Sequence, residues 1–313
     1  MPSGLTSADI QSAAARIAPF VRRTPILELG NALSPDYTLT LKLEHLQVTG
    51  SFKARGATSL LSSIEAPAEV VAASGGNFGI AVAYAASRLG HRATVFVPAT
   101  SPAEKIGRIS AHGAEVRVIP GYYDDALAAS QEYAAESGAM QAHAYDQPEV
   151  VAGQGTLALE LEQQAKVDAV ICAVGGGGLI AGIATWLRDR ATVVAAEPIE
   201  SRCFNAALEA GAPVEVDVGG VAVSSLGSRV IGDYGWAARV WIDDSVLVSD
   251  EDIVAAQRWL WSETRLAVEP AAATTIAALR TGGYVPEKGS NVVAVLSGGN
   301  VDPGSVSEPP PAD

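Results

Sequence analysis

The sequence of 313 residues predicts an α/β fold of mostly parallel sheets flanked by helices. Strand-like and helix-like segments alternate along most of the chain, the order that crossover connections require. Several of the strand-like segments are continuous apolar runs, such as AVICAV at 169–174, as expected for strands covered on both faces. Three of them run into glycine-rich loops: SGGN at 74–77, GGGG at 175–178 and SGGN at 297–300. Ligands in open α/β sheets bind beyond the carboxyl ends of strands, so three such loops imply one site assembled from distant segments.

Taken in order, Ser7 is placed to cap a first helix that runs to Pro19. TLTLKLEHL (38–46) alternates and reads as a strand. Gly50-Ser51 then opens a helix through about Ile64. VVAAS (70–74) is strand-like and leads through a glycine turn into the helix FGIAVAYAASRL, which ends at Gly90. TVFVP (94–98) is a strand. Ser101-Pro102-Ala103-Glu104 has the spacing of a capping box, with proline at the first helical position, and that helix stops near Gly113.

EVRVI (115–119) is a strand and ALAASQEYAAES (126–137) a helix closed by Gly138. Asp146-Gln147-Pro148 opens a helix carrying VVAGQGTLALELEQQ. TVVAAEP (192–198) and NVVAVLSGG (291–299) are strands, and DEDIVAAQRWLWSETRLA (250–267) is a helix with acidic residues on its first turn. The tail from Pro303 to Asp313 has no apolar pattern and is expected to be disordered.

Composition narrows the function. Hydrophobic residues are 48% and charged residues 18% of the chain, a globular balance. The net charge of −14 repels phosphate backbones and anionic lipid, so neither nucleic acid nor a membrane surface is an expected partner. Residues 169–187 carry no charge, yet four successive glycines in their middle would each cost a spanning helix about 1 kcal/mol. Strand, loop and helix is the better reading. Cys172 and Cys203 are no disulfide framework, and a small buried apolar residue is expected at each. With an N-terminus unlike a signal peptide, this fits the cytoplasm. The four histidines are scattered, and no His/Cys cluster has metal-ligand spacing.

Two segments carry the chemistry. Bare backbone N–H groups at Gly175, Gly176, Gly177 and Gly178, between a strand and a helix, form a phosphate cradle; the alternative is a tight turn. No G-x-G-x-x-G fingerprint with its acidic partner and no G-K-[ST] is present, which counts against dinucleotides and nucleoside triphosphates. Lys53, in GSFKARG (50–56), falls on the first turn of a predicted helix, where the positive end of the dipole opposes it by about 0.3 to 1 kcal/mol. A solvated lysine would tolerate that cost. A lysine that must be neutral to form a Schiff base would be helped by it.

Together, TGSFKARGA (49–57), SGGNFG (74–79), GGGGL (175–179) and SGGN (297–300) resemble, in this order, the fold-type II pyridoxal-phosphate enzymes. The likeness is nearest to the serine/threonine dehydratase and serine racemase family, whose wording EHLQVTGSFKARGA (44–57) and AGQGTLALE (152–160) also match. It runs from about residue 20 to 302 and implies a two-lobed fold of the tryptophan synthase β type. Residues 1–67 and 146–313 would form the large cofactor-binding lobe and 68–145 the small one.

Position by position, the resemblance implies that Lys53 is the Schiff-base lysine and Phe52 the aromatic beside the cofactor ring. Asn77 would bond the pyridine 3-hydroxyl. Ser74, Asn77 and Phe78 would lie on the segment that holds the substrate carboxylate. Gly175 to Gly178, with the Leu179 amide, would hold the phosphate, and Ser297 would face the pyridine nitrogen. A serine hydroxyl is too weak an acid to keep that nitrogen protonated, which suits elimination better than transamination.

The implied activity is dehydration of L-threonine or L-serine to a 2-keto acid and ammonia, with a hydroxy amino acid as the small-molecule partner. A homodimer is the family's expectation, and no feedback by isoleucine is expected from so short a segment after Asn300.

Two departures bear on the alternatives. Family racemases carry a serine after the position of Ser74; Gly75 stands here, with no proton to give. Metal-dependent relatives place an aspartate where Cys203 stands after Glu197, so no Ca²⁺ or Mg²⁺ site is expected. Racemisation or β-replacement are the rival reactions, and a non-catalytic phosphate-metabolite binder, which would not need Lys53, is the rival class.

Overall fold

In the computed structural model, which describes residues 4–307, ten strands form two sheets. The strands are β1 (Ile26–Gly30), β2 (Thr38–Lys42), β3 (Glu69–Ala73), β4 (Arg92–Pro98), β5 (Glu115–Ile119), β6 (Met140–Ala142), β7 (Ala169–Ala173), β8 (Thr192–Pro198), β9 (Asp244–Val248) and β10 (Asn291–Val295). Their order is β1-β2-β10-β7-β8-β9 in one sheet and β5-β4-β3-β6 in the other. Every pairing is parallel except β1 with β2.

The helices are α1 (Ser7–Ile17), α2 (Lys53–Leu61), α3 (Asn77–Leu89), α4 (Ala103–Ala111), α5 (Tyr123–Ser137), α6 (Pro148–Glu162), α7 (Gly178–Leu187) and α8 (Cys203–Ala210). After them come α9 (Val223–Leu226), α10 (Asp233–Ala238), α11 (Asp250–Thr264), α12 (Pro270–Arg280) and α13 (Pro303–Ser307). Among the described residues no helix is long and apolar enough to cross a membrane; the uncharged stretch 169–187 is strand, loop and helix.

Both faces of the six-stranded sheet are buried. Val170, Cys172, Val193 and Val295 pack on one side with α6 and α7, while Ala169, Ile171, Val194 and Ala294 pack on the other with α11 and α12. This two-sided burial is why these strands are apolar without alternation. Both cysteines are buried, as the composition suggested.

The same topology brings the loops together. β2, β10 and β7 are parallel neighbours, so the segments after them emerge at one edge of the sheet. They lead to Lys53, to Ser297 and to the four glycines. The loop after β3 reaches them from the second sheet.

The AGQGT run of α6 owes its glycines to helix contacts. A Cβ on Gly153 would stand 2.6 Å from Arg55 O, and one on Gly182 of α7 would stand 2.5 Å from Gly155 N. Backbone therefore meets backbone where α2 and α7 cross α6. Beneath α2 lies a buried charge cluster. Arg55 Nε and Nη2 donate to the two oxygens of Glu44 at 2.8 and 2.7 Å, and Nη2 also reaches Glu160 at 3.0 Å. Lys42 Nζ meets the other Glu160 oxygen at 2.5 Å and Gln164 at 2.8 Å. Two cations face two anions, so the burial is compensated.

Several boundaries differ from those the sequence suggested. Thr6, not Ser7, caps α1, in a reciprocal pair with Asp9, and α1 stops at Ile17. β2 ends at Lys42 and turns into short 3-10 segments. The helix of Lys53 begins at Lys53 itself and ends at Leu61. The capping box at Ser101 is absent: Pro102 occupies the cap position and no side chain caps α4. α5 begins three residues before Ala126, at Tyr123, and α11 ends at Thr264. Residues 303–307 of the expected disordered tail form a short helix whose Val306 is buried; the rest of that tail, 308–313, lies outside the described residues.

Candidate active site

Helices α3 and α7, of thirteen and ten residues, start at the glycine-rich loops, α2, of nine, starts just after Gly50, and none of the three has a side chain capping its first turn. The leading N–H groups of such helices have no intrahelical acceptor, and the dipole places positive potential there. This edge of the molecule is built to receive anions.

Gly177, the cap residue of α7, has φ +90, a conformation that favours glycine. Its neighbours close on it as well: a Cβ would stand 2.6 Å from Ile231 Cδ1 and 2.9 Å from Gly235 Cα. Cβ atoms on Gly176 and Gly178 would run into Tyr145, whose hydroxyl is 3.0 Å from Ser228 Oγ. The glycines are thus required by close packing behind them, while their amides remain part of an uncapped helix start. Leu179 offers only its amide, because its side chain belongs to the main core.

Lys53 is the first residue of α2, with no acidic residue on that turn. Its Nζ donates to Ala144 O at 2.9 Å and lies 5.1 Å from the centroid of Phe52 and 5.8 Å from that of Phe78. Among the described residues no carboxylate lies within ion-pair distance. Burial pushes its pKa down from 10.5 to about 8. The amine is therefore far closer to its neutral, nucleophilic form at physiological pH than an ordinary lysine. Desolvation is the cause here, where the sequence had pointed to the helix dipole.

Phe52 N donates to Ser297 O at 3.0 Å, and Ser51 bridges to Gly298, which ties the lysine turn to the loop after β10. Ser297 is buried. Asn77, at the start of α3, donates through Nδ2 to Glu269 at 2.8 and 3.0 Å, and its Oδ1 accepts from Asn300 Nδ2 at 2.7 Å. Ser74 turns back on its own loop, where its Oγ accepts from Gly76 N at 3.3 Å. Phe78 is buried in the core around β3, with its ring toward Lys53.

The structure therefore brings Lys53, Phe52, Phe78, Asn77 and the Ser297 loop into contact. Tyr145, one residue beyond the carbonyl that holds Lys53, joins them to the glycine loop. Buried Ser51 Oγ and Thr49 Oγ1 have no hydrogen-bond partner. Orphaned hydroxyls beside uncapped helix starts are what a polar ligand would complete.

Several residues of this site escaped the sequence reading: Glu269, Asn300, Tyr145, the Ala144 carbonyl and Ser225, whose Oγ donates to Glu269 Oε2 at 3.1 Å. Asn300 stood in plain view in SGGN, and Glu269 directly precedes a helix-opening proline; the others carry no local signal. His143 is not an acid–base candidate. Its Nδ1 accepts from the Asp146 amide at 3.0 Å, and burial lowers its pKa.

At the stretch where relatives could bind metal, Glu197 accepts from the amides of Phe204 and Asn205 at 2.9 and 2.8 Å, capping α8. Cys203 Sγ donates to Gly175 O at 3.2 Å. Glu197 thus holds the start of α8, and Cys203 ties that start to the glycine loop.

An amine with a lowered pKa, beside two aromatic rings and uncapped helix starts, is an arrangement that suits a phosphorylated carbonyl cofactor. Comparison with known proteins gives the family. Residues 17–298 match the model of the pyridoxal-phosphate-dependent enzymes, and the chain belongs to that family. It is a lyase that works with pyridoxal phosphate. The chain is 38% identical to the biosynthetic L-threonine dehydratase of Mycobacterium leprae, over 95% of its own length and 73% of the relative's. The crystal structure of a threonine deaminase from T.th. superposes with a TM-score of 0.89 at 36% identity, covering 95% of this chain and 99% of that one. Maize serine racemase does so with a TM-score of 0.90 at 30% identity, covering 96% and 95%.

Proposed function

We propose that the chain removes water from L-threonine, L-serine or both, giving a 2-keto acid and ammonia, with Lys53 as the residue that holds the cofactor and moves the proton. The observation that carries this is the state of Lys53: half-buried, without a counter-ion, and lowered to about 8. A surface lysine would be charged and inert. The cofactor, when bound, withdraws electrons from the substrate α-carbon.

The protein's part is binding, orientation and proton transfer. The uncapped start of α7, with Gly175, Gly176, Gly177, Gly178 and the Leu179 amide, would hold the phosphate. Phe52 would lie beside the ring, and Ser297 would face its nitrogen without supplying a proton. Asn77 would donate to the 3-oxygen. The start of α3, with Ser74, Asn77 and Phe78, would hold the substrate carboxylate. Lys53 Nζ would take the α-proton in a pocket beside the aromatic rings, and that proton together with the β-hydroxyl makes up the water lost. The carrying lobes would be the six-stranded and four-stranded halves, with a homodimer as the assembly; sedimentation of the full chain decides the latter.

Gly75 favours elimination over racemisation. It carries no acid, and the Ser101 hydroxyl already fills the space its side chain would need. The experiment is Lys53→Ala. Keto-acid formation from L-threonine and L-serine should fall to background together with the yellow absorbance of the loaded protein. Turnover like that of the unmodified chain would refute the assignment.

A further inference from the structure

Glu269 is a buried acid to which the residues above assign no task. It is 4% exposed and stands at the cap position of α12 without capping that helix. Both of its oxygens instead accept from Asn77 Nδ2, at 3.0 and 2.8 Å, and Oε2 also accepts from Ser225 Oγ at 3.1 Å. Its backbone N–H is held by Gly298 O at 2.9 Å. A Cβ on Gly298 would stand 2.5 Å from Glu269 Oε2, so that glycine is what admits the carboxylate. On the opposite side, Asn300 Nδ2 donates to Asn77 Oδ1 at 2.7 Å and to Thr49 O at 2.9 Å. Asn300 Oδ1 accepts from Arg108 Nη1 at 2.5 Å.

A carboxamide presents an acceptor and a donor of nearly equal size, and only its neighbours decide which points where. Here the hydrogen bonds on both sides of Asn77 set it. Burial pushes the Glu269 pKa up, but the Asn77 amide and the Ser225 hydroxyl both donate to its oxygens and favour the accepting carboxylate. Asn300, its own oxygen engaged by a guanidinium that can only donate, offers Asn77 a donor. The relay Arg108 to Asn300 to Asn77 to Glu269 therefore has one polarity. The two hydrogens of one amide nitrogen diverge too widely for both to meet the oxygens of a single carboxylate. One N–H is shared between those oxygens and the other is left over.

We propose that Glu269 is a positioning residue which, with Asn300, orients the Asn77 amide so that one N–H is reserved for an oxygen of the bound ligand. On the reading of Lys53 given above, on which this rests, that oxygen is the 3-oxygen of pyridoxal phosphate. Glu269 does not touch the ligand; it acts through Asn77.

The test is a titration of the full chain with pyridoxal phosphate, followed by absorbance, for Glu269→Ala, Asn77→Ala, the double variant and Glu269→Gln. Glu269→Ala and Asn77→Ala should each weaken binding about tenfold, the worth of one hydrogen bond to a charged group. The double variant should bind no more weakly than Asn77→Ala alone, since both changes remove one interaction. Glu269→Gln keeps an acceptor of the same shape and should restore most of the affinity. Unchanged binding in Glu269→Ala, or losses that multiply in the double variant, would overturn the proposal. Asn300→Asp reverses the relay without emptying a buried site and should weaken binding as much; unaltered affinity there overturns it even if Glu269→Ala does not fold. An unmodified chain that takes up no pyridoxal phosphate would overturn the Lys53 reading and this one together.

Discussion

Lys53 is disfavoured by burial in the cofactor-free protein, and the cost has a pH signature. Its folded pKa of about 8 lies below the ordinary 10.5. Below about 8 the unfolded chain and the folded chain both carry the proton, and the folded one carries it in a desolvated site. Between about 8 and 10.5 only the unfolded chain is protonated, so stability rises with pH across that window. Lys53→Met should therefore raise the melting temperature of the cofactor-free protein at about pH 7, by a gain on the order of 2 to 3 kcal/mol. The gain should shrink toward zero above about pH 10. Calorimetry of both proteins at about pH 7 and about pH 10.5 checks this, and an equal gain at both values would show that the amine is not strained by burial.

The residues of the site differ in how far the sequence revealed them. Lys53, Asn77 and the glycines lie in short contiguous motifs, so their chemistry can be read locally. Glu269 and the Ala144 carbonyl act through contacts made across the fold, 192 residues apart for the Glu269–Asn77 pair, and nothing next to them announces it.

At the scale of elements, the start of α7 and the seat of α2 are the decisive pieces. Gly177 combines a left-handed φ with Ile231 and Gly235 packed where a side chain would stand. Gly177→Asp should distort the loop and set a negative charge against the phosphate, weakening cofactor binding at least about a hundredfold, or roughly 3 kcal/mol. Equilibrium titration measures it; unaltered affinity would reduce GGGG to a turn. α2 is seated by Arg55, whose guanidinium spans Glu44 and Glu160. Arg55→Met leaves those carboxylates in a buried site with only Lys42 to offset them, and should cost about 3 to 5 kcal/mol. Chemical denaturation checks this, and a loss below about 1 kcal/mol would mean that water reaches the cluster.

Elements with strong local signals were legible and others were not. TVFVP, EVRVI and TVVAAEP are strands or lie within strands in the structure. β6 has only three residues, too few for periodicity. β1 is a half-buried strand at the sheet edge, without the apolar run of its inner neighbours. α12 is buried over 271–279 without a polar stripe, so its alanines and threonines show no amphipathic period. The Ser101 box failed because its spacing was met while its side chain turned instead toward Gly75.

For the whole molecule, the parallel order β2-β10-β7 turns scattered motifs into one site. Lys53, Ser297 and Gly175 follow three adjacent strands in space, though they are separated by more than a hundred residues in sequence. The sequence implied this convergence from three glycine loops; the strand order that achieves it was not readable, because strand neighbours leave no local trace.

The central claim is that this one lysine, out of five in the chain, carries the cofactor. Lys42 is engaged by Glu160, and among the described residues Lys53 is the lysine set over the rings of Phe52 and Phe78. The direct measurement is borohydride reduction of the protein loaded with pyridoxal phosphate, followed by peptide mapping. One pyridoxyl group per chain on Lys53 is the expected result. A label on another lysine, or no stable label at all, would contradict it.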